Sequence, residues 1–273
     1  MLAVLQFPDI SRNLFSVTLW GHELALRWYA LAYLAGLIAG WRVIMALMAR
    51  PGLWPGDRAP MEPRRVEDLL SAIVLGVILG GRLGFVLFYQ RDYYLAHPSE
   101  ILKVWEGGMS FHGGFLGVIA AGLWFCRRNG VPALQLSDAM ALVAPIGLFF
   151  GRIANFINGE LWGRVTDPSL PWAMVFPQVD LQPRHPSQLY QAAMEGLLLF
   201  ALLWWYSSKP RGRGAVSGMF LVGYGAFRWI GEYFREPDAG IFGHSYVISM
   251  GQWLSLPMVA IGVFLVARTR MKR

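Results

Sequence analysis

The chain has 273 residues, of which 55% are hydrophobic, 14% aromatic and only 15% charged, and its mean hydropathy is +0.42. Soluble domains carry about 25% charged residues, so this chain has too few to cover a water-facing surface, and its apolar residues come in long runs rather than half-apolar stripes. The net charge of +7 sits in short basic clusters between those runs. That pattern marks membrane topology and attraction to anionic lipid heads, and argues against nucleic acid as a partner. With one cysteine, Cys126, no disulfide can form within the chain and helix packing must hold the fold.

The stretch before Trp20 has neither a basic start nor a small-residue cleavage site, which predicts no removable signal peptide. Seven apolar segments follow, at about 24–48, 69–89, 111–125, 137–150, 189–206, 218–234 and 248–267. They predict an all-α integral membrane protein of about seven transmembrane helices, forming a single polytopic domain over residues 1–273. A span needs about 20 mostly apolar residues, so the third and fourth are short. Each is extended by a polar, glycine-rich stretch, 107–114 before the third and 151–163 after the fourth. Irregular backbone at that depth is tolerated where it lines a protein cavity, which makes these stretches the places to look for a site.

Orientation follows from the basic clusters. Arg50, Arg58, Arg64 and Arg65, then Arg127 and Arg128, then Lys209, Arg211 and Arg213, then Arg268, Arg270, Lys272 and Arg273 fall on alternate junctions of seven spans. Excess Lys and Arg marks the cytoplasm. The N-terminus and segments 90–110, 151–187 and 235–246 are then expected outside, as an extramembrane cap on the periplasmic side, with Trp105, Trp162 and Trp172 suited to the interface. No internal repeat is visible, unlike many transporter folds.

An ionised residue at the centre of a span costs about 2.5 to 3.5 kcal/mol on insertion scales, so deep polar groups must be paired or useful. If the fourth helix continues past residue 150, Arg152, Asn155 and Asn158 share one face. Gly151, Gly159 and Gly163 then allow close approach and a tight exit. A guanidinium between two amides can cradle a phosphate oxygen, although an arginine snorkelling to lipid heads is the alternative. Tyr224, Arg228 and Glu232 recur at steps of four on another face, with Arg235 three further on. They read either as a self-neutralising pair or as a means of aiming an arginine at an anion. His112, between two glycine pairs, is a candidate general base or a structural histidine, and no second histidine stands at metal-ligand spacing. In Arg184-His185-Pro186-Ser187, Ser187 is a candidate cap for the fifth span. Glu195, within that span, needs a cation for which Arg152 and Arg228 are the candidates. Tyr29 stands where its phenol can reach a head group. Arg82, among glycines, reads as a packing or pairing residue.

The motif 151–163, Gly-Arg-Ile-Ala-Asn-Phe-Ile-Asn-Gly-Glu-Leu-Trp-Gly, closely resembles the signature of the bacterial prolipoprotein diacylglyceryl transferases. The likeness extends through Phe111-His112-Gly113-Gly114, Arg184 to Tyr190, and Gly223 to Arg228, in the same order around seven spans. It departs at Ala154, where a glycine is usual, at Gln191, where a glutamate is common, and at Arg27, where a histidine often precedes Trp-Tyr. The resemblance implies an inner-membrane enzyme without a cofactor or metal, acting in the first step of lipoprotein maturation. It would move the diacylglyceryl group of phosphatidylglycerol to the lipobox cysteine of a prolipoprotein and release glycerol 1-phosphate. His112, Arg152 and Arg228 are then expected to be catalytic, with Arg152, Asn155, Asn158, Glu160, Tyr29 and Tyr224 binding phosphatidylglycerol and Glu195 and Glu232 holding the arginines. The competing class is a carrier for an anionic lipid or solute that uses the same arginines without bond breakage.

Overall fold

The computed structural model describes residues 4–19, 22–237 and 248–271. In chain order, β1 (Leu5–Gln6), β2 (Asn13–Leu19) and β3 (His22–Arg27) precede α1 (Trp28–Met48). Then come α2 (Arg65–Phe88), the short α3 (Arg91–Ala96), α4 (Phe111–Asn129) and α5 (Ala133–Ile157). After β4 (Met174–Val175) and β5 (Pro183–Arg184), α6 (Ser187–Gln191) runs through a π-helical stretch (Ala192–Leu198) into α7 (Leu199–Tyr206). The described chain closes with α8 (Ala215–Gly231) and α9 (Met250–Met271).

All seven apolar segments are helical over most of their length. Among the described residues, α1, α2, α5 and Met250–Thr269 of α9 are long and apolar enough to cross a membrane, with mean hydropathies of 1.8, 2.1, 1.7 and 1.7. The protein is therefore a mostly helical, multi-pass membrane protein. Residues 238–247, which cover most of the expected outer segment 235–246, and Lys272 and Arg273 of the last basic cluster lie outside the described residues.

The strands correct the all-α expectation. Residues 24–27, read from their apolar character as the start of the first span, belong instead to β3, which pairs antiparallel with β2 from Asn13↔Arg27 to Leu19↔His22. A short apolar run does not by itself distinguish strand from helix. Here Phe15, Val17 and Thr18 favour extended backbone, and α1 starts at Trp28, once the pairing has reached Asn13. A second sheet has the order β1-β4-β5, with β1 parallel and β5 antiparallel to β4.

The chain divides into two compact units, Met1–Val43 with Asp138–Arg273, and Ile44–Ser137. In the second, α2 and α4 meet along a glycine seam. Gly76, Gly80 and Gly84 recur every fourth residue on α2, as Gly113 and Gly117 do on α4. A Cβ on Gly80 would lie 2.8 Å from Gly117 Cα, and one on Gly84 2.8 Å from Gly113 Cα. Lipid offers no hydrophobic drive for helix association, so close backbone packing supplies it. Beside the seam Arg82 is buried. Its Nε donates to the Ile101 carbonyl (2.8 Å), Nη1 to that of Gly107 (2.6 Å) and Nη2 to that of Glu100 (2.7 Å), and its guanidinium lies 5.1 Å from the Tyr94 ring centre. It thus pairs with backbone rather than with a carboxylate. The loop it holds has the irregular backbone allowed for in the glycine-rich stretch 107–114, since Gly107 and Gly108 have φ of 89° and 76°, and α4 begins at Phe111. Ser110 caps α4 by accepting from Gly113 N at 3.2 Å.

In the first unit Asp138, buried near the start of α5, accepts from Gly214 N (2.7 Å), Ser217 N (2.8 Å) and Ser217 Oγ (2.8 Å). One helix thereby caps another, satisfying donors that α8 cannot satisfy itself. Close approaches of Gly36 to Gly147, Gly196 to Phe149 and Gly218 to Gly262 join α1 to α5, α5 to the π stretch and α8 to α9.

Gly117→Leu is expected to lower the unfolding temperature in detergent, because its Cβ would collide with the Gly76 carbonyl. Overpacking of this kind costs about 1–3 kcal/mol. Gly122→Ala, whose Cβ would meet nothing nearer than Leu136 at 4.0 Å, should leave the melting curve unchanged.

Candidate active site

The polar centre of the first unit is Glu195, fully buried within the π-helical stretch. A π turn inserts a residue into the helical register, and such turns recur at functional sites. The neighbouring Gly196 lets Phe149 of α5 approach so closely that a Cβ there would stand 2.7 Å from Phe149 Cβ. Arg152, one turn beyond Phe149, thereby faces Glu195. Its Nε and Nη2 donate to Glu195 Oε2 at 3.2 and 3.0 Å.

The other carboxylate oxygen faces α8. Arg228 Nη1 lies 3.6 Å from Glu195 Oε1, and Arg228 Nη2 lies 2.6 Å from Glu232 Oε1. Arg235 Nη1 reaches the same Glu232 oxygen at 3.4 Å. Gly251, in the first turn of α9, makes room for this pair, since a Cβ there would come within 2.7 Å of Glu232 Oε1. Tyr224, one turn before Arg228, is half-buried within electrostatic range of Glu195, Arg228 and Arg152. Among the described residues, the guanidinium groups of Arg152, Arg228 and Arg235 gather about the carboxylates of Glu195 and Glu232. The side chains of Arg152 and Arg228 keep 14% and 13% exposure while Glu195 has none, so an anion would meet the arginines. Such a cluster binds phosphate through several directed, charge-assisted donors.

A second polar group gathers at the C-terminal end of α5. Asn155 Nδ2 donates to Glu160 Oε1 at 2.8 Å and to the Tyr29 hydroxyl at 3.4 Å, and Asn158 Nδ2 reaches Glu160 Oε1 at 3.5 Å. The continuous face expected for Arg152, Asn155 and Asn158 therefore divides. α5 ends at Ile157, and Gly159 (φ 66°) and Leu161 (φ 57°) fold the chain back so that Glu160 meets the amides. Gly163 does permit close approach, with a Cβ there colliding with the carbonyls of His185 and Phe234, whereas Gly151 has nothing near it.

Ser187 does not cap α6. Pro186 holds the cap position, and the Ser187 hydroxyl donates instead to the Leu161 carbonyl at 3.0 Å, while Gln188 Nε2 donates to that of Glu160 at 2.8 Å. Both bonds fix the turn that carries Glu160. Gln191, on the turn before Glu195, is buried with no hydrogen-bond partner for its amide among the described residues. As an amide it adds no third negative charge next to the arginines. His112 belongs to the second unit, where its ring is exposed in the first turn of α4, edge-on to Phe111 at 5.7 Å.

Two arginines were given no role by the sequence reading. Arg164 donates to the carbonyls of Arg235 (3.0 Å) and Glu232 (3.2 Å), securing the exit of α8. Arg184 clasps Asp180 Oδ2 (2.6 Å), the Gly163 carbonyl (3.0 Å) and Glu236 Oε2 (3.2 Å). Arg164 sits in a loop and Arg184 in the two-residue β5, neither with a period to read, and their contacts lie up to 71 residues away, so spacing carried no signal. Arg184 holds the Asp180 carboxyl below the usual carboxylate range, and burial lowers His185.

A multi-pass membrane protein with an arginine cluster gathered on a fully buried carboxylate is of the class that handles anionic lipids or solutes at membrane depth. The family model "Prolipoprotein diacylglyceryl transferase" matches residues 16–268. Similar proteins include those of Ruegeria pomeroyi (52% identical, 99% of each chain), Dechloromonas aromatica (58%, 89% of this chain and 90% of the relative) and Nitrosomonas europaea (56%, 89% and 85%). Each is named a phosphatidylglycerol–prolipoprotein diacylglyceryl transferase. The chain belongs to the prolipoprotein diacylglyceryl transferase family.

Glu195→Gln is expected to lower the unfolding temperature in detergent more than Arg152→Gln does, because it takes a carboxylate from two half-buried arginines at once. Breaking one such pair costs about 3–5 kcal/mol. The Asp180 carboxyl, depressed by Arg184, contributes stability that is present above its unfolded value of about 3.9 and is lost as pH falls through the lower folded value. Asp180→Asn should therefore melt below the parent at neutral pH and converge with it in strong acid, as read from melting curves across that range.

Proposed function

We propose that this chain moves the diacylglyceryl group of phosphatidylglycerol to the lipobox cysteine of prolipoproteins, the first step of bacterial lipoprotein maturation. The observation that carries the reading is the shared carboxylate of Glu195, which holds Arg152 and Arg228 together while both arginines stay partly exposed. The family match and the printed names of the relatives support the reaction.

In this reading the cysteine sulfur attacks the diacylglyceryl carbon that carries the phosphate ester. A carbon–sulfur bond forms, the carbon–oxygen bond breaks, and the electron pair leaves with glycerol 1-phosphate. Arg152 and Arg228 bind the phosphate and stabilise charge growing on the leaving oxygen. His112 takes the thiol proton as general base. A thiol with a reference pKa near 8.5 needs only modest help. Tyr29, Asn155, Asn158, Glu160 and Tyr224 orient the lipid, which enters sideways between helices. Glu195 and Glu232 keep the arginines in place.

The proposed topology has seven spans, with α4, the α6-to-α7 helix and α8 completing the four long apolar ones. The N-terminus lies in the periplasm and the C-terminus in the cytoplasm. The β1-β4-β5 sheet and its loops form the periplasmic cap, and the active site faces that side of the inner membrane. Support comes from the basic clusters, which fall on alternate junctions.

The test incubates purified protein with phosphatidylglycerol and a peptide bearing a Leu-x-x-Cys lipobox, and follows the thioether by mass spectrometry. Parent protein is expected to form it, and a Cys→Ser peptide to give none. Arg152→Ala and Arg228→Ala should each lose about 10²–10³-fold in turnover, the usual cost of removing a transition-state donor. Phosphatidylglycerol binding without product would move the carrier reading to first place. His112→Gln should flatten the neutral limb of the pH–rate profile, and full turnover from about pH 6 to 9 would remove it as base.

A further inference from the structure

A cavity of about 410 Å³ opens at the C-terminal end of α5, walled by the N-terminal segment, the α5 exit and the chain after β4. Its size falls within the range of about 300–1,000 Å³ typical of small-ligand pockets. Phe7, Pro8, Ile10, Ile157 and Pro177 give it apolar walls, and Asn158 and Gln178 supply side-chain amides. The walls are fixed. Phe7 donates its N–H to the Val175 carbonyl at 2.9 Å and packs on Phe156 and Phe176, with ring centres 5.5 and 5.2 Å away. Gln178 Nε2 donates to the Gly159 carbonyl at 3.2 Å, which holds the turn from α5 to Glu160 against the cavity.

Continuity with the site defines what the cavity faces. Asn158 lines it and also reaches Glu160 Oε1, in the group that includes Asn155 and Tyr29. Pro8 and Ile10 are exposed apolar residues, as expected of a surface that a partner covers. The exposed Asp9 and Arg12 put both signs of charge beside it. That mixture disfavours a lone phosphate, which Asp9 would repel. It also disfavours acyl chains, which need continuous apolar walls. An extended peptide fits: its side chain fills the apolar floor and its main-chain dipoles meet amides and charges of both signs.

We propose that this cavity seats the acceptor peptide, taking an apolar side chain from the residues beside the reacting cysteine while the thiol projects toward the Asn155–Glu160 group. This rests on the transferase reading and adds to it the place where the protein substrate docks. Ile10 carries the test, because it lies in the cavity wall and outside the proposed catalytic groups. Ile10→Asp is expected to raise the KM for the lipobox peptide about tenfold, the order of effect for a spoiled apolar pocket. The KM for phosphatidylglycerol and kcat should stay within about twofold, and Ile10→Val should behave as the parent. A benzophenone side chain in place of Ile10 should photocrosslink the peptide with or without phosphatidylglycerol, and excess unlabelled peptide should block it. A rise in the lipid KM would assign the cavity to lipid and overturn the proposal. So would an unchanged peptide KM, or a crosslink that excess peptide does not block. Blockable crosslinking in the benzophenone variant, with a parent protein that forms no thioether, would instead support the seat and sink the transferase reading.

Discussion

Glu195 and the two arginines that share it set the terms for the rest of the first unit. A fully buried carboxylate is tolerated only when cations and hydrogen bonds replace the water it has lost, and here the cations come from two different helices. α5 must approach closely enough for Arg152 to donate twice, and Gly196 permits that approach. α8 must present Arg228 on the opposite side, and Gly251 leaves space there for the Arg228–Glu232 pair. The π turn sets Glu195 between these demands. Packing and electrostatics are one constraint in this region.

Arginine does three kinds of work in this chain, and the partners distinguish them. Arg82 donates only to backbone carbonyls and organises a loop. Arg184 combines carboxylates with a carbonyl and clasps three segments of the first unit. In both, the donors are committed to the protein. The Glu195–Glu232 cluster differs because the side chains of Arg152 and Arg228 retain some exposure there. Under the proposed function, it is this third arrangement that meets an external anion.

The sequence reading succeeded where chemistry repeats along a helix. Steps of four from Tyr224 through Arg228 to Glu232, with Arg235 three beyond, place one set of charges on one face, and the ion pairs of α8 follow. The need of a buried glutamate for a cation named Arg152 and Arg228 as candidates, and both are partners. It failed where the backbone leaves the helix. The turn at Gly159 separates Asn155 and Asn158 from Arg152 by drawing them to Glu160, and nothing in the spacing foretells the positive φ of Leu161. The β2–β3 hairpin is apolar enough to pass for the start of a span, and the cavity by Phe7 joins segments about 150 residues apart. Long-range contacts between irregular segments have no period to read.

The division into two polar groups follows from the same physics. The Glu195 cluster holds its charges with ion pairs between helices at 3.0 and 3.6 Å and along α8 at 2.6 Å, so its guanidiniums are already oriented before any ligand arrives. Groups fixed in this way stabilise charge that develops later without the reorganisation water would require. The Glu160 group is held by amides and a phenol across a turn, with no guanidinium among those bonds. That environment suits polar, uncharged parts of a substrate better than a phosphate. A reaction that separates an anionic leaving group from a neutral acceptor needs both environments side by side. Arg152 and Asn155, one helical turn apart at the end of α5, place the two environments side by side.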